Sequence, residues 1–240
     1  MSNQSNRSTP GWRFGEVDRN RRRCFLALTA TAAGVSLASA GALAQAARCV
    51  LTEDAGEGPF YFDPALVRSD IRDGLPGAPL EVAIQVTRAS DCATLAGARV
   101  DLWQANAVGL YSGYEDQPGV GDISTDSAID QSWLRGTQLT DGDGWVRFST
   151  IYPSWYGGRT PHLHFKVWLG PDEIVASQVF FPDETTAQVF ERWEPYRQHV
   201  AKRRAFNDND PFKQGVYCDI EAHDDAGVRA NAVVAIADSA

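Results

Sequence analysis

Short apolar runs that alternate with polar residues recur from position 80 almost to the end of the chain, and they constrain the fold more than any other feature. Leu80, Val82, Ile84 and Val86 are interleaved with Glu81, Gln85 and Thr87, a period of two that turns one face of an extended strand toward a core. Similar runs span residues 98–103, 145–151, 162–169, 174–181, 216–221 and 228–236, each bounded by Gly, Pro, Asn or Asp. Strands of this length and spacing predict an all-β domain with a β-sandwich core, or a barrel. One helical stretch, 183–204, is rich in Gln, Glu, Arg and Ala and stops before Asn207-Asp208-Asn209-Asp210-Pro211, which reads as a loop. Thr140-Asp141-Gly142-Asp143-Gly144 has the look of a calcium loop but lacks the closing acidic ligand, so a tight turn is expected. The stretch from Gly109 to Leu134 is long, with two tyrosines and little apolar periodicity, and long loops of this kind tend to carry function.

Residues 1–44 read as a targeting segment, leaving a domain of 45–240. The segment is polar up to Arg21, Arg22 and Arg23, then uncharged from Cys24 to Leu43, and it closes on Ala42-Leu43-Ala44. Arg22-Arg23-Cys24-Phe25-Leu26 resembles the twin-arginine export signal. A membrane anchor over 25–43 is the alternative, but the run is barely long enough and poor in large apolar residues. The expectation is export to the periplasm or beyond, contact with the membrane only in transit, and cleavage after Ala44 or Ala46. The whole chain has a formal charge of -9, and residues 45–240 carry 16 basic and 29 acidic side chains, a charge of -13 that should repel nucleic acid. Cys49, Cys92 and Cys218 are too dispersed for a zinc site; outside the cytoplasm one disulfide is expected, with three pairings open.

The chemistry-bearing residues centre on His162-Leu163-His164. Leu163, Phe165, Val167 and Leu169 form the apolar parity of that run, so both imidazoles share the opposite face, where they can reach a single metal ion. Strand histidines with a purely structural role are about as common. The cupin family also places His-x-His on a strand, but it needs a Glu a few residues later, where this chain has Lys166, Val167, Trp168 and Leu169. Ahead of the pair, Tyr152-Pro153-Ser154-Trp155-Tyr156-Gly157-Gly158-Arg159-Thr160-Pro161 gathers two Tyr, a Trp and an Arg into a Gly-Pro loop.

Together with Trp103-Gln104-Ala105-Asn106-Ala107-Val108-Gly109-Leu110-Tyr111, this segment resembles the intradiol ring-cleavage dioxygenases. Glu57-Gly58-Pro59-Phe60-Tyr61, Arg68-Ser69-Asp70-Ile71 and Gly97-Ala98-Arg99-Val100-Asp101-Leu102-Trp103 look like the same family, in an order and spacing that chance would rarely give. The resemblance covers most of residues 45–240 and is greatest to exported single-domain members. It implies a non-haem Fe(III) site held by Tyr111, Tyr156, His162 and His164, and hard anionic oxygen donors suit that ion. Tyr114 is a rival for the first position but misses the Gly-x-Tyr spacing. The implied reaction opens a catechol between its hydroxylated carbons with O2 to give a cis,cis-muconate. Tyr156 would also accept a catechol proton, Arg159 would stabilise charge developing on the ring, and Gln178 would orient the substrate. Surface pairing for Arg159, and a core-edge amide for Gln178, are the competing structural roles. Exported relatives carry cysteines near Cys49 and Cys92, which implies that these two pair. The amino-terminal dimer-forming helices of the catechol and hydroxyquinol branch are not visible, so a homo-oligomer is left open. So is the ring substituent. A competing function is a non-catalytic exported sandwich that binds carbohydrate or protein through Trp133, Trp145, Trp155 and Trp168.

Overall fold

The computed structural model describes residues 49–115, 117 and 128–237; the proposed export segment and part of the 109–134 stretch lie outside these. Two sheets face each other. The first has the order β4-β1-β9-β8, with β1 (Pro79–Arg88), β4 (Trp145–Ile151), β8 (Asp219–Asp224) and β9 (Gly227–Ile236). The second has the order β3-β2-β5-β6-β7, with β2 (Arg99–Gln104), β3 (Arg135–Leu139), β5 (His162–Leu169), β6 (Asp172–Phe180) and β7 (Val216–Tyr217). Most pairings are antiparallel, but β1 runs parallel to β9 with Leu80 opposite Val228, and β6 parallel to β7. The alternation in β1 has the expected cause: Leu80, Val82, Ile84 and Val86 are buried between the sheets with Val100, Leu102, Phe148, Leu163, Phe165 and Val167.

The second sheet is buried on its other face as well. Its outward parity carries Asp101 and Trp103 on β2, His162, His164 and Lys166 on β5, and Gln178 on β6, all at most 5% exposed. An arm ahead of β1 covers it. The arm is tied to the first sheet by the Cys49–Cys92 disulfide and by Thr52 N–H donating to the Ala235 carbonyl, then crosses to the second sheet, where Ala55 N–H donates to the Ala176 carbonyl. Tyr61 then lies over Lys166 and donates to Asp101, which also takes bonds from Thr137, Trp168 and Arg99. Cys218 is free and buried, and burial pushes its thiol up to about 12.

Two expectations need correction, and one strand was not expected. The helical stretch 183–204 is an α-helix, α1, only over Asp183–Arg192; Trp193 is extended, and single 3-10 turns follow at Tyr196–Gln198 and Val200–Lys202. Pro195 explains the break, since it lacks an N–H and disfavours helical geometry in the residue before it. The run 216–221 is two strands rather than one: β7 belongs to the second sheet and β8 to the first, with the chain crossing between them at Cys218. Strand β3 was not anticipated, because Arg135-Gly136-Thr137-Gln138-Leu139 has no apolar alternation. Gly136 is required there, since a Cβ would come within 2.6 Å of Ile71. The 140–144 segment is the expected turn, closed by Asp141 accepting N–H bonds from Asp143 and Trp145.

Candidate metal centre

On the covered face of the second sheet, four side-chain atoms from three segments converge. Pairing fixes the two imidazoles: His164 lies opposite Trp103 on β2 and Gln178 on β6, and His162 lies opposite Phe180. Tyr156 comes from the loop between β4 and β5, and Tyr111 from the loop after β2. His162 Nε2 lies 3.0 Å from His164 Nε2, 3.3 Å from Tyr156 Oη and 3.5 Å from Tyr111 Oη, and the two phenol oxygens are 3.3 Å apart. Arg159 and Gln178 join the same cluster, with Arg159 Nη2 donating to Gln178 Oε1. All six residues proposed from the sequence are therefore neighbours. Tyr114 is not among the donors: its hydroxyl donates to the Tyr61 carbonyl, and its ring packs edge-on against Phe60.

The donors are held as neutral groups by burial. His162 Nδ1 lies 2.7 Å from the Thr160 carbonyl, which only accepts, so the proton sits on Nδ1 and the Nε2 lone pair faces the cluster. Burial first, then the neighbouring His164 and Arg159, drive the His162 pKa well below its ordinary value; burial, then Arg159 and Arg135, do the same to His164. Burial, then the neighbouring Tyr156, pushes the Tyr111 phenol well up; Tyr156 is also raised by burial, with Arg159 opposing. His164 stacks on Trp103 with rings 9° from parallel, and its Nδ1 is buried without a hydrogen-bond partner. Gly58, with φ of +70°, lies against the same imidazole, where a Cβ would meet Cε1 at 3.3 Å.

These residues fit a hard, oxygen-loving cation. Four electron-rich atoms at 3.0–3.5 Å from a neighbour have the spacing of donors around one ion that binds N and O at about 2 Å. Two phenols and two imidazoles suit a ferric ion, and a cation would relieve the unfavourable burial of tyrosinate. Among the described residues no cluster of three or more His, Cys, Asp or Glu offers an alternative metal site. A surface groove of about 500 Å³ is lined by Val50, Leu51, Tyr217 and Asn231 and contains none of the six residues, so the chemistry is located by its donors rather than by the open groove.

Two contributors were not read from the sequence. Trp103 sits on the outward parity of β2, where a large ring is a detectable anomaly. Asp210 lies in an Asn-Asp cluster that gives no sign of burial, yet its carboxylate is fully enclosed against Arg159. The four tryptophans of the binding-surface alternative are none of them fully exposed: Trp133 is buried, and Trp145, Trp155 and Trp168 are partly buried.

Comparison with known proteins bears on the class this fold and cluster define. The model of the dioxygenase family matches residues 57–220. The solved structure of an intradiol ring-cleavage dioxygenase from Tetranychus urticae is 30% identical, with a TM-score of 0.69 over 79% of this chain and 95% of that one. Hydroxyquinol 1,2-dioxygenase from Pseudomonas putida, at 22% identity and a TM-score of 0.51 over 78% of this chain and 66% of that one, shares the fold. Catechol 1,2-dioxygenase 1 of Acinetobacter lwoffii is 33% identical over 106 residues, 42% of this chain and 31% of that protein, so the chain matches about a third of the length of this curated relative. The chain belongs to the intradiol ring-cleavage dioxygenases.

The buried imidazoles have a consequence for stability without metal. A histidine whose folded pKa is depressed takes up its proton only in the unfolded chain, so its contribution is whole above pH 6.5 and is lost as pH falls. Metal-free protein should lose about 2.7 kcal/mol per pH unit below pH 6.5 from these two residues, read by urea unfolding across that range. His164→Asn should make the slope shallower by about one proton. An unchanged slope would mean that His164 titrates freely in the fold.

Proposed function

We propose that the chain is a non-haem Fe(III) dioxygenase that opens a catechol-type ring between its hydroxylated carbons, using O2, to give a cis,cis-muconate-type product. The observation that carries this is the convergence of Tyr111, Tyr156, His162 and His164 at 3.0–3.5 Å spacings in a family of ring-cleaving dioxygenases. These four residues would hold the metal. Ferric iron bound there would supply Lewis acidity toward the two ring oxygens of a catechol.

The protein's own groups divide the remaining work. Once metal binding has displaced its own proton, Tyr156 Oη would be the proton acceptor for an arriving catechol hydroxyl, and the neighbouring Arg159 charge favours that phenolate form. Arg159 and Gln178, locked to each other, present fixed polarity to negative charge accumulating on the ring. Phe60, stacked on Tyr111 at 4.6 Å, and Trp103, stacked on His164, keep water from the donors.

The full chain loaded with ferric iron should consume O2 in equal proportion to catechol, and with isotopically labelled O2 both atoms should appear in the dicarboxylate product. No uptake across unsubstituted, alkylated and hydroxylated catechols would sink the proposal.

We also propose that the enzyme works outside the cytoplasm. The Cys49–Cys92 disulfide supports this, since such bonds persist in oxidising compartments. Protein recovered from the export compartment should begin at Gln45 or Ala47; a chain still carrying Met1 there would contradict cleavage.

A further inference from the structure

Asp210 lies between the last 3-10 turn and β7, far in sequence from the metal cluster, and its side chain is 0% exposed. A carboxylate is stable in that setting only when fully paired and hydrogen-bonded. Arg159 Nε donates to both of its oxygens, at 3.0 and 3.1 Å. Thr160 N–H donates to Oδ2 at 2.8 Å and Phe212 N–H to Oδ1 at 2.8 Å. The guanidinium is also held by Gln178 Oε1 and by the Phe212 ring, 4.8 Å away. The direction of Arg159 is therefore set by Asp210, which pairs with its Nε. The same carboxylate holds the backbone N–H of Thr160, the residue whose carbonyl fixes the proton of His162.

Two other cations lie nearby, Lys166 and Arg135. Lys166 is paired with Glu57 and Glu173, whereas Arg135, 1% exposed, is held under Phe62 by Ser112 alone and its Nη1 has no partner. Of these three cations, Arg159 and Lys166 already face carboxylates, and Arg135 is enclosed behind Phe62. An unpaired and accessible arginine would meet a carboxylate on a substrate well, because its fork matches that group.

Resting on the reading of the site as a catechol-cleaving one, we infer that Asp210 is a positioning residue acting through Arg159: it aims the guanidinium and occupies its Nε edge, so that the site selects rings with uncharged substituents over rings bearing a carboxylate.

The test compares kcat/KM for catechol and for 3,4-dihydroxybenzoate in the iron-loaded full chain, in Asp210→Asn, in Arg159→Ala and in the double variant. Wild type should favour catechol by at least about 10-fold. Arg159→Ala should lose roughly 100-fold on catechol, and Asp210→Asn, which sets an NH2 group against the Thr160 N–H, at least about 10-fold. Asp210→Asn should retain its iron, and its selectivity should shift toward the carboxylate-bearing ring, which a merely structural role would not produce. In the double variant, Asp210→Asn should add no more than about 3-fold to the loss from Arg159→Ala. Losses that multiply, iron lost from Asp210→Asn, or a wild type that prefers the carboxylate-bearing ring would each overturn the inference. The wild-type preference decides the matter if Asp210→Asn does not fold. A wild type that cleaves no catechol at all would instead defeat the functional reading beneath it.

Discussion

Two imidazoles and two phenols buried on the side of a sheet away from the hydrophobic core make an unfavourable arrangement unless something answers their lone pairs. Much of the chain is laid out to hold it. The inner faces of β2, β5 and β6 pack as an ordinary sandwich core, which makes the sheet rigid and sets the outward positions of His162, His164 and Gln178 through strand register. The outer face is then closed by the disulfide-tied arm, with Gly58 against His164 and Phe60 against Tyr111. A cation at the centre would turn the same burial into an advantage, because charges attract more strongly where water is excluded.

A second layer of polar residues supports the first. Asp101 collects Tyr61, Thr137, Trp168 and Arg99, and Asp210 collects Arg159, Thr160 and Phe212. Each carboxylate ties two or more chain segments across the functional face, so loops that enter from different directions are fixed relative to β5. Such support is what keeps a cluster of donors within the small tolerances that metal binding and proton transfer demand.

The sequence made some of this legible and hid the rest for identifiable reasons. The alternation of Leu163, Phe165 and Val167 placed both histidines on one face, because a strand has a strict period of two. The strands 145–151 and 162–169 were readable to the residue for the same reason. Tyr111 and Tyr156 sit in irregular loops, where no periodicity says which way a side chain points, and only the family resemblance singled them out. Asp210 was hidden because Asn-Asp-Pro sequences usually mark solvated turns, and its burial depends on an arginine 51 positions away. Strand β3 was hidden because it shows no apolar alternation: Gly136 leaves room for Ile71 of the core, and Arg135 donates to Ser112. The helix was overextended because composition favours helix through residue 204, while Pro195 ends it locally.

Whether two tyrosinates and two histidines hold ferric iron is the point on which the functional reading turns, and the visible spectrum of the iron-loaded full chain tests it most directly. Tyrosinate bound to Fe(III) gives an intense charge-transfer band in the visible. The expected result is a red-brown protein whose band weakens and shifts in Tyr156→Phe and moves again when a catechol is added without oxygen. Protein that binds iron in equal proportion yet stays colourless, or whose band is untouched by Tyr156→Phe, would contradict the site described for this fold.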